Sequence, residues 1–196
     1  QAASLSPTPS PPTDVSQQTR TDPDTQPEDL GRVRWLRDFE SARPLAKDQN
    51  EPLFVLFPEV PGCSTVKGFA DGVLTHPLLI EAIESEFVPV AIYNNVEGPD
   101  RKVLESLGEP TWNNPVVRIL DPERRPLAPR FSGPYRLSAL AHTMERALTK
   151  AGRTSPTYLR LLAKEHAARA HGTEKAVFSM YCFWSGETKL GALDGV

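Results

Sequence analysis

The apolar positions of this chain fall into two kinds of run, and their alternation predicts an α/β fold. Leu53-Phe54-Val55-Leu56-Phe57 and Phe87–Tyr93 (FVPVAIY) are short, nearly unbroken apolar runs, the pattern of strands buried on both faces. Between and around them the spacing is helical. Phe39, Ala42 and Ala46 recur within Asp38–Gln49, although Pro44 predicts a helix that starts late or kinks there. Cys63–Leu74 places Val66, Phe69 and Val73 on one face, while Gly68 and Gly72 weaken it by propensity, so a tertiary neighbour must hold it. His76-Pro77 opens a further helix with Leu78, Leu79, Ala82 and Ile83 as its apolar stripe. Val103, Leu104 and Leu107 mark a short one stopped by Gly108 and Pro110. Val116–Leu120 and Leu127–Phe131 flank a DPERRP turn and read as two antiparallel strands. Leu137, Leu140, Met144, Ala147 and Leu148 define an amphipathic helix ended by Gly152. From 33 to 152 the order is β, α, β, α, α, β, α, β, β, α, which predicts a mixed sheet with helices on both faces.

The ends of the chain differ from this middle. Residues 1–30 hold six prolines, many Ser, Thr and Gln, and almost no large apolar side chain. Ordering such a stretch costs entropy with nothing to bury, so it reads as a disordered tether. Residues 31–152 form the folded domain. Residues 153–196 continue as a linker helix with Tyr158, Leu161, Leu162 and Ala168 as its apolar positions, then a strand at Lys175–Met180 running into Tyr181-Cys182-Phe183-Trp184. The chain begins at Gln1 rather than Met, and with the tether this leads us to expect an exported protein whose signal peptide has been removed. The net charge of −3, with no basic cluster interleaved with aromatics, argues against a nucleic-acid partner, and no apolar run has the length of a membrane span.

Chemistry concentrates on the two cysteines. A strand, a Pro/Gly turn and then Cys63 at a helix start put the sulfur where free N–H groups and the helix dipole favour thiolate over thiol. Lys67, one turn along, would add a cation on the same side, and Gly62 removes a side chain where a partner sulfur must approach. The bland alternatives are a structural disulfide between Cys63 and Cys182, or a small buried hydrophobe. The four histidines do not pair at ligand spacing; His166 and His171 lie on different faces of a helix, so no metal and no cofactor is expected.

Val60-Pro61-Gly62-Cys63-Ser64-Thr65-Val66-Lys67, with the element order from Val33 to Gly152, resembles the thioredoxin-like superfamily. The likeness is to the branch in which Val-Pro-Gly-selenocysteine replaces the usual Trp-Cys-x-x-Cys entrance. It extends to Val73–Leu78 and to Phe87-Val88-Pro89-Val90. The resemblance implies a thioredoxin-like mixed sheet and makes Cys63 the attacking thiol. Val66 stands where a resolving cysteine would be, which leaves one-thiol chemistry on peroxide, a mixed disulfide or a partner's oxidised sulfur. It also implies a cis-proline opposite the thiol, and Asn114-Pro115, just before Val116–Leu120, takes that position as a substrate-binding element.

A second resemblance lies near the C-terminus. Tyr181-Cys182-Phe183-Trp184-Ser185-Gly186-Glu187, after a strand, is similar to the active-site segment of peptide methionine-S-sulfoxide reductases. It implies Cys182 as a nucleophile, with Phe183 and Trp184 cradling the substrate methyl group. Tyr181 and Ser185 replace glycines of that family. Three functional expectations therefore stand side by side. The first is a thiol oxidoreductase acting through Cys63, with a thiol reductant or an oxidised protein or peptide as partner. The second is a methionine-S-sulfoxide reductase acting through Cys182, with the preceding domain as its reductant. The third is a non-catalytic thioredoxin-like binding module using the groove beside Pro115.

Overall fold

Five consecutive apolar residues make strand β1, Leu53–Phe57, and every one of them is buried. The two-residue period of a strand splits them between two layers of core. Phe54 and Leu56 join one cluster, and Leu53, Val55 and Phe57 join the other. The computed structural model describes residues 19–111 and 115–170. In it β1 is the central strand of a three-stranded mixed sheet, order β2-β1-β3. Strand β2, Val88–Ala91, runs parallel to β1 with Leu53 opposite Val88 and Leu56 opposite Ala91. Strand β3, Val116–Leu120, runs antiparallel, with Phe57 opposite Val116 and Leu53 opposite Leu120.

Helices cover both faces. Helix α1, Phe39–Gln49, lays Phe39, Ala42, Leu45 and Ala46 on the Val55 face, joined there by Leu104 of α4, Pro99–Ser106. The opposite face is covered by α2, Ser64–Gly72, α3, Pro77–Glu86, α5, Leu137–Lys150, and α6, Thr157–Ala170. Their contributions include Phe69, Ile83, Met144 and Leu159.

Several expectations are corrected by the packing. Helix α1 begins at Phe39, with the Asp38 carboxylate accepting from the amides of Glu40 and Ser41, and it runs through Pro44. Pro44 is on the exposed side, so the carbonyl it leaves without a helical donor is open to water. The strand expected at the start of the domain is a single parallel bridge, Leu36 to Val90. Leu127–Phe131 is not a strand either. Its backbone meets β3 only at isolated points, with Leu127 donating to Ile119 at 2.9 Å and Phe131 and Val117 bonding each other. Pro126 and Pro129 supply no N–H to a continuous ladder.

Residues 19–30, assigned from composition to the tether, pack onto the domain. Glu28–Leu30 forms a 3₁₀ turn, Leu30 is fully buried, and its carbonyl accepts from the Trp35 indole N–H at 3.0 Å. Helix α6 is likewise no linker. Leu159 and Ala163 enter the same core as α3 and α5, while Leu161, expected on its apolar face, is 59% exposed. No helix among the described residues is long and apolar enough to cross a membrane.

Candidate active site

Beyond Phe57 the chain must turn from β1 into α2, and two residues after β2 hold that turn. The Asn94 amide donates to the Pro58 carbonyl at 3.0 Å. The Asn95 side chain then bonds Val60 twice, accepting from its N–H at 3.2 Å and donating to its carbonyl at 3.1 Å. The asparagine loop is itself fixed from below. Asp100, near the start of α4, accepts from the Tyr93 amide at 2.8 Å and from Arg37 at 2.7 Å, and the Arg37 guanidinium lies 3.5 Å from the centre of the Tyr93 ring. The Val60–Pro61 peptide is cis.

Gly62 comes next, and its missing side chain has a role inside the domain. A Cβ there would sit 2.6 Å from Val66 Cβ, 2.7 Å from Val66 Cγ1 and 2.9 Å from Asp29 Oδ1. The missing side chain makes room for the protein's own packing. The Gly62 amide donates to Asp29 Oδ1 at 3.1 Å, so the buried Asp29 anchors the turn from the far end of the domain's sequence.

Cys63 occupies the N-cap of α2 in extended conformation, φ −73° and ψ 176°. Its thiol is free and exposed. The neutral thiol makes no cap hydrogen bond, but the backbone amide of Val66 and then that of Thr65 are placed to bond a thiolate and hold the Cys63 pKa below its ordinary value. The Glu59 carboxylate acts weakly in the opposite direction. Lys67 is not among the groups that lower the Cys63 pKa. Its Nζ pairs with Glu28 Oε1 at 2.7 Å, and the expected cation beside the thiol is committed there. Val66, in the place of a resolving cysteine, is buried beneath Gly62.

Pro115 approaches this site through Tyr135. The Tyr135 hydroxyl donates to the Pro115 carbonyl at 2.9 Å, and its ring packs 5.4 Å from Phe69 of α2 and 6.1 Å from Phe131. Partial burial raises the Tyr135 pKa; the charge of Arg130 opposes this, and that of Cys63 adds to it. The structure thus gathers Gly62, Cys63 and Pro115 at one end of the sheet. Asn114, and with it the geometry of the Asn114–Pro115 bond, lies outside the described residues, as do Cys182, Phe183 and Trp184. Among the described residues no group of three or more His, Cys, Asp or Glu is placed to hold a metal ion.

Asp29, Asn95 and Tyr135 are the positions that sequence reasoning missed. Asn94-Asn95 after a buried strand and Gly133-Pro134-Tyr135 after a turn were visible signals; Asp29, inside a polar stretch, carried none.

No family model matches the chain, and no curated protein sequence matches it. A solved structure described as "DsbH Oxidoreductase" does match, with a TM-score of 0.51 and 16% identity, over 64% of this chain and 90% of that one. The fold is thioredoxin-like. At that identity the likeness speaks for the fold alone. It accords with a thioredoxin-like sheet whose central strand leads, through a Pro/Gly turn, to a cysteine at a helix N-cap.

Proposed function

We propose that this thioredoxin-like chain is a one-thiol oxidoreductase in which Cys63 attacks an oxidised sulfur. The observation that carries the reading is an exposed thiol at the N-cap of α2 with the Val66 and Thr65 amides arranged to favour its thiolate. With a disulfide substrate, the Cys63 thiolate bonds one sulfur, the substrate S–S bond breaks, and the other sulfur leaves as a thiolate that takes a proton from water. The buried Val66 offers no resolving thiol beside Cys63, so the mixed disulfide persists until a thiol from elsewhere attacks it. The oxidoreductase to which the fold is similar, and the Val-Pro-Gly-Cys stretch, support the same class of chemistry. The Pro-rich composition of residues 1–18 accords with an exported domain on a tether.

A second reading adds to this one and rests on the Cys182-Phe183-Trp184 triplet. In it Cys182, oxidised to a sulfenic acid by a sulfoxide, condenses with Cys63 to a disulfide and releases water. Reaction with an oxidised, cystine-containing peptide, followed by mass spectrometry, tests the leading reading. A stable one-to-one adduct on Cys63 that a small thiol releases is the expected product. Absence of any adduct on Cys63 would overturn it. Loss of methionine-S-sulfoxide reduction in Cys63→Ser, with activity in the parent chain, would support the second reading.

A further inference from the structure

Tyr135 joins two parts of the site that are far apart in sequence. Its ring lies against Phe69, which shares the buried face of α2 with Val66 and so belongs to the helix that carries Cys63 at its N-cap. Its hydroxyl holds the carbonyl of Pro115, at the entrance to β3. Phe131 closes the aromatic cluster from the third side, 6.2 Å from Phe69. Because burial and the nearby Cys63 both disfavour the phenolate, the hydroxyl stays a donor through the neutral range.

We propose that Tyr135 is a positioning residue for thiol–disulfide exchange at Cys63. It sets the spacing between α2 and the Pro115 backbone, so that a peptide entering in extended form beside Pro115 presents its disulfide to the Cys63 sulfur. The proposal rests on the redox reading above. In the step it serves, the peptide S–S bond breaks as the Cys63–sulfur bond forms. Cys63 is oxidised, the departing peptide sulfur is reduced, and it collects its proton from water. A small disulfide needs no such alignment, because it approaches the exposed thiol freely.

Tyr135→Phe isolates the effect, since it keeps the ring in the aromatic cluster and removes only the hydroxyl. The full chain and the variant are compared in three measurements: exchange with 2-hydroxyethyl disulfide, exchange with a disulfide-bonded peptide, and the thermal midpoint. Loss of one hydrogen bond predicts a peptide rate lowered roughly three- to tenfold, with the small-disulfide rate within about twofold of the parent. Equal losses for both disulfides would show a merely structural role and overturn the proposal, as would an unchanged peptide rate. A parent chain whose Cys63 reacts with neither disulfide overturns the redox reading itself, and this proposal with it.

Discussion

Gly62→Ala is the most informative single perturbation of the turn that carries the thiol. The new methyl carbon would lie 2.6 Å from Val66 Cβ, 2.7 Å from Val66 Cγ1 and 2.9 Å from Asp29 Oδ1. A rotamer change in Val66 moves Cγ1 but cannot move Cβ, and both neighbours are buried. The backbone of Gly62–Cys63 must therefore shift. Overpacking of this kind costs about 1–3 kcal/mol. For a domain of this size that lowers the thermal midpoint by roughly 2–12 °C. The same shift draws Cys63 away from the Val66 and Thr65 amides, so its alkylation at neutral pH slows as its pKa rises. Val66→Ala in the same chain should not rescue, because the shortest contact is to Cβ. Gly68→Ala serves as the control. A Cβ at Gly68 meets nothing within 4 Å, and this exposed mid-helix position should gain about 0.5–1 kcal/mol. Differential scanning calorimetry together with iodoacetamide rates reads all three variants. A Gly62→Ala chain as stable as its parent and with an unchanged thiol would show that Val66 and Asp29 do not confine this turn.

Other consequences follow from particular contacts. Lys67→Gln should leave the pH midpoint of Cys63 alkylation where it is, because Lys67 is committed to Glu28; a clear upward move would show that the cation does act on the sulfur. Leu159→Ala should cost about 2–5 kcal/mol and Leu161→Ala no more than about 0.5, as urea midpoints will show, since only Leu159 is buried. Folding lowers the Cys63 pKa, so its contribution to stability is fully present above the ordinary thiol value of about 8.5 and is lost as pH falls through the lowered folded value. The stability advantage of the parent over Cys63→Ser should accordingly shrink on acidification, and a difference that is flat with pH would contradict this.

Much of the fold was legible because it rests on local patterns. The unbroken run Leu53–Phe57 reads as a doubly buried strand, and the strand, Pro/Gly turn and cysteine in sequence put Cys63 at the start of α2. The features that escaped depend on distant partners. Nothing in a polar stretch marks Asp29 as the acceptor for an amide 33 residues away, or Glu28 as the partner of Lys67, 39 residues away. Pro126 and Pro129 were visible, yet alternating apolar positions read as a strand until the missing N–H groups are matched against β3. In α6 the sequence offers Leu159, Leu161 and Leu162 almost side by side, and only packing against α3 and α5 decides that Leu159 faces inward. At Gly62 the missing side chain is legible, but Val66 and Asp29, the neighbours its Cβ would meet, are not.

By placing Cys63 against the Val66 and Thr65 amides, the fold makes it a ready thiolate. The most direct test is the rate of iodoacetamide alkylation against pH in the full chain, read at Cys63 by peptide mapping so that Cys182 does not contribute. The expected midpoint lies clearly below that of an ordinary cysteine, about 8.5. A midpoint at or above that value would contradict it.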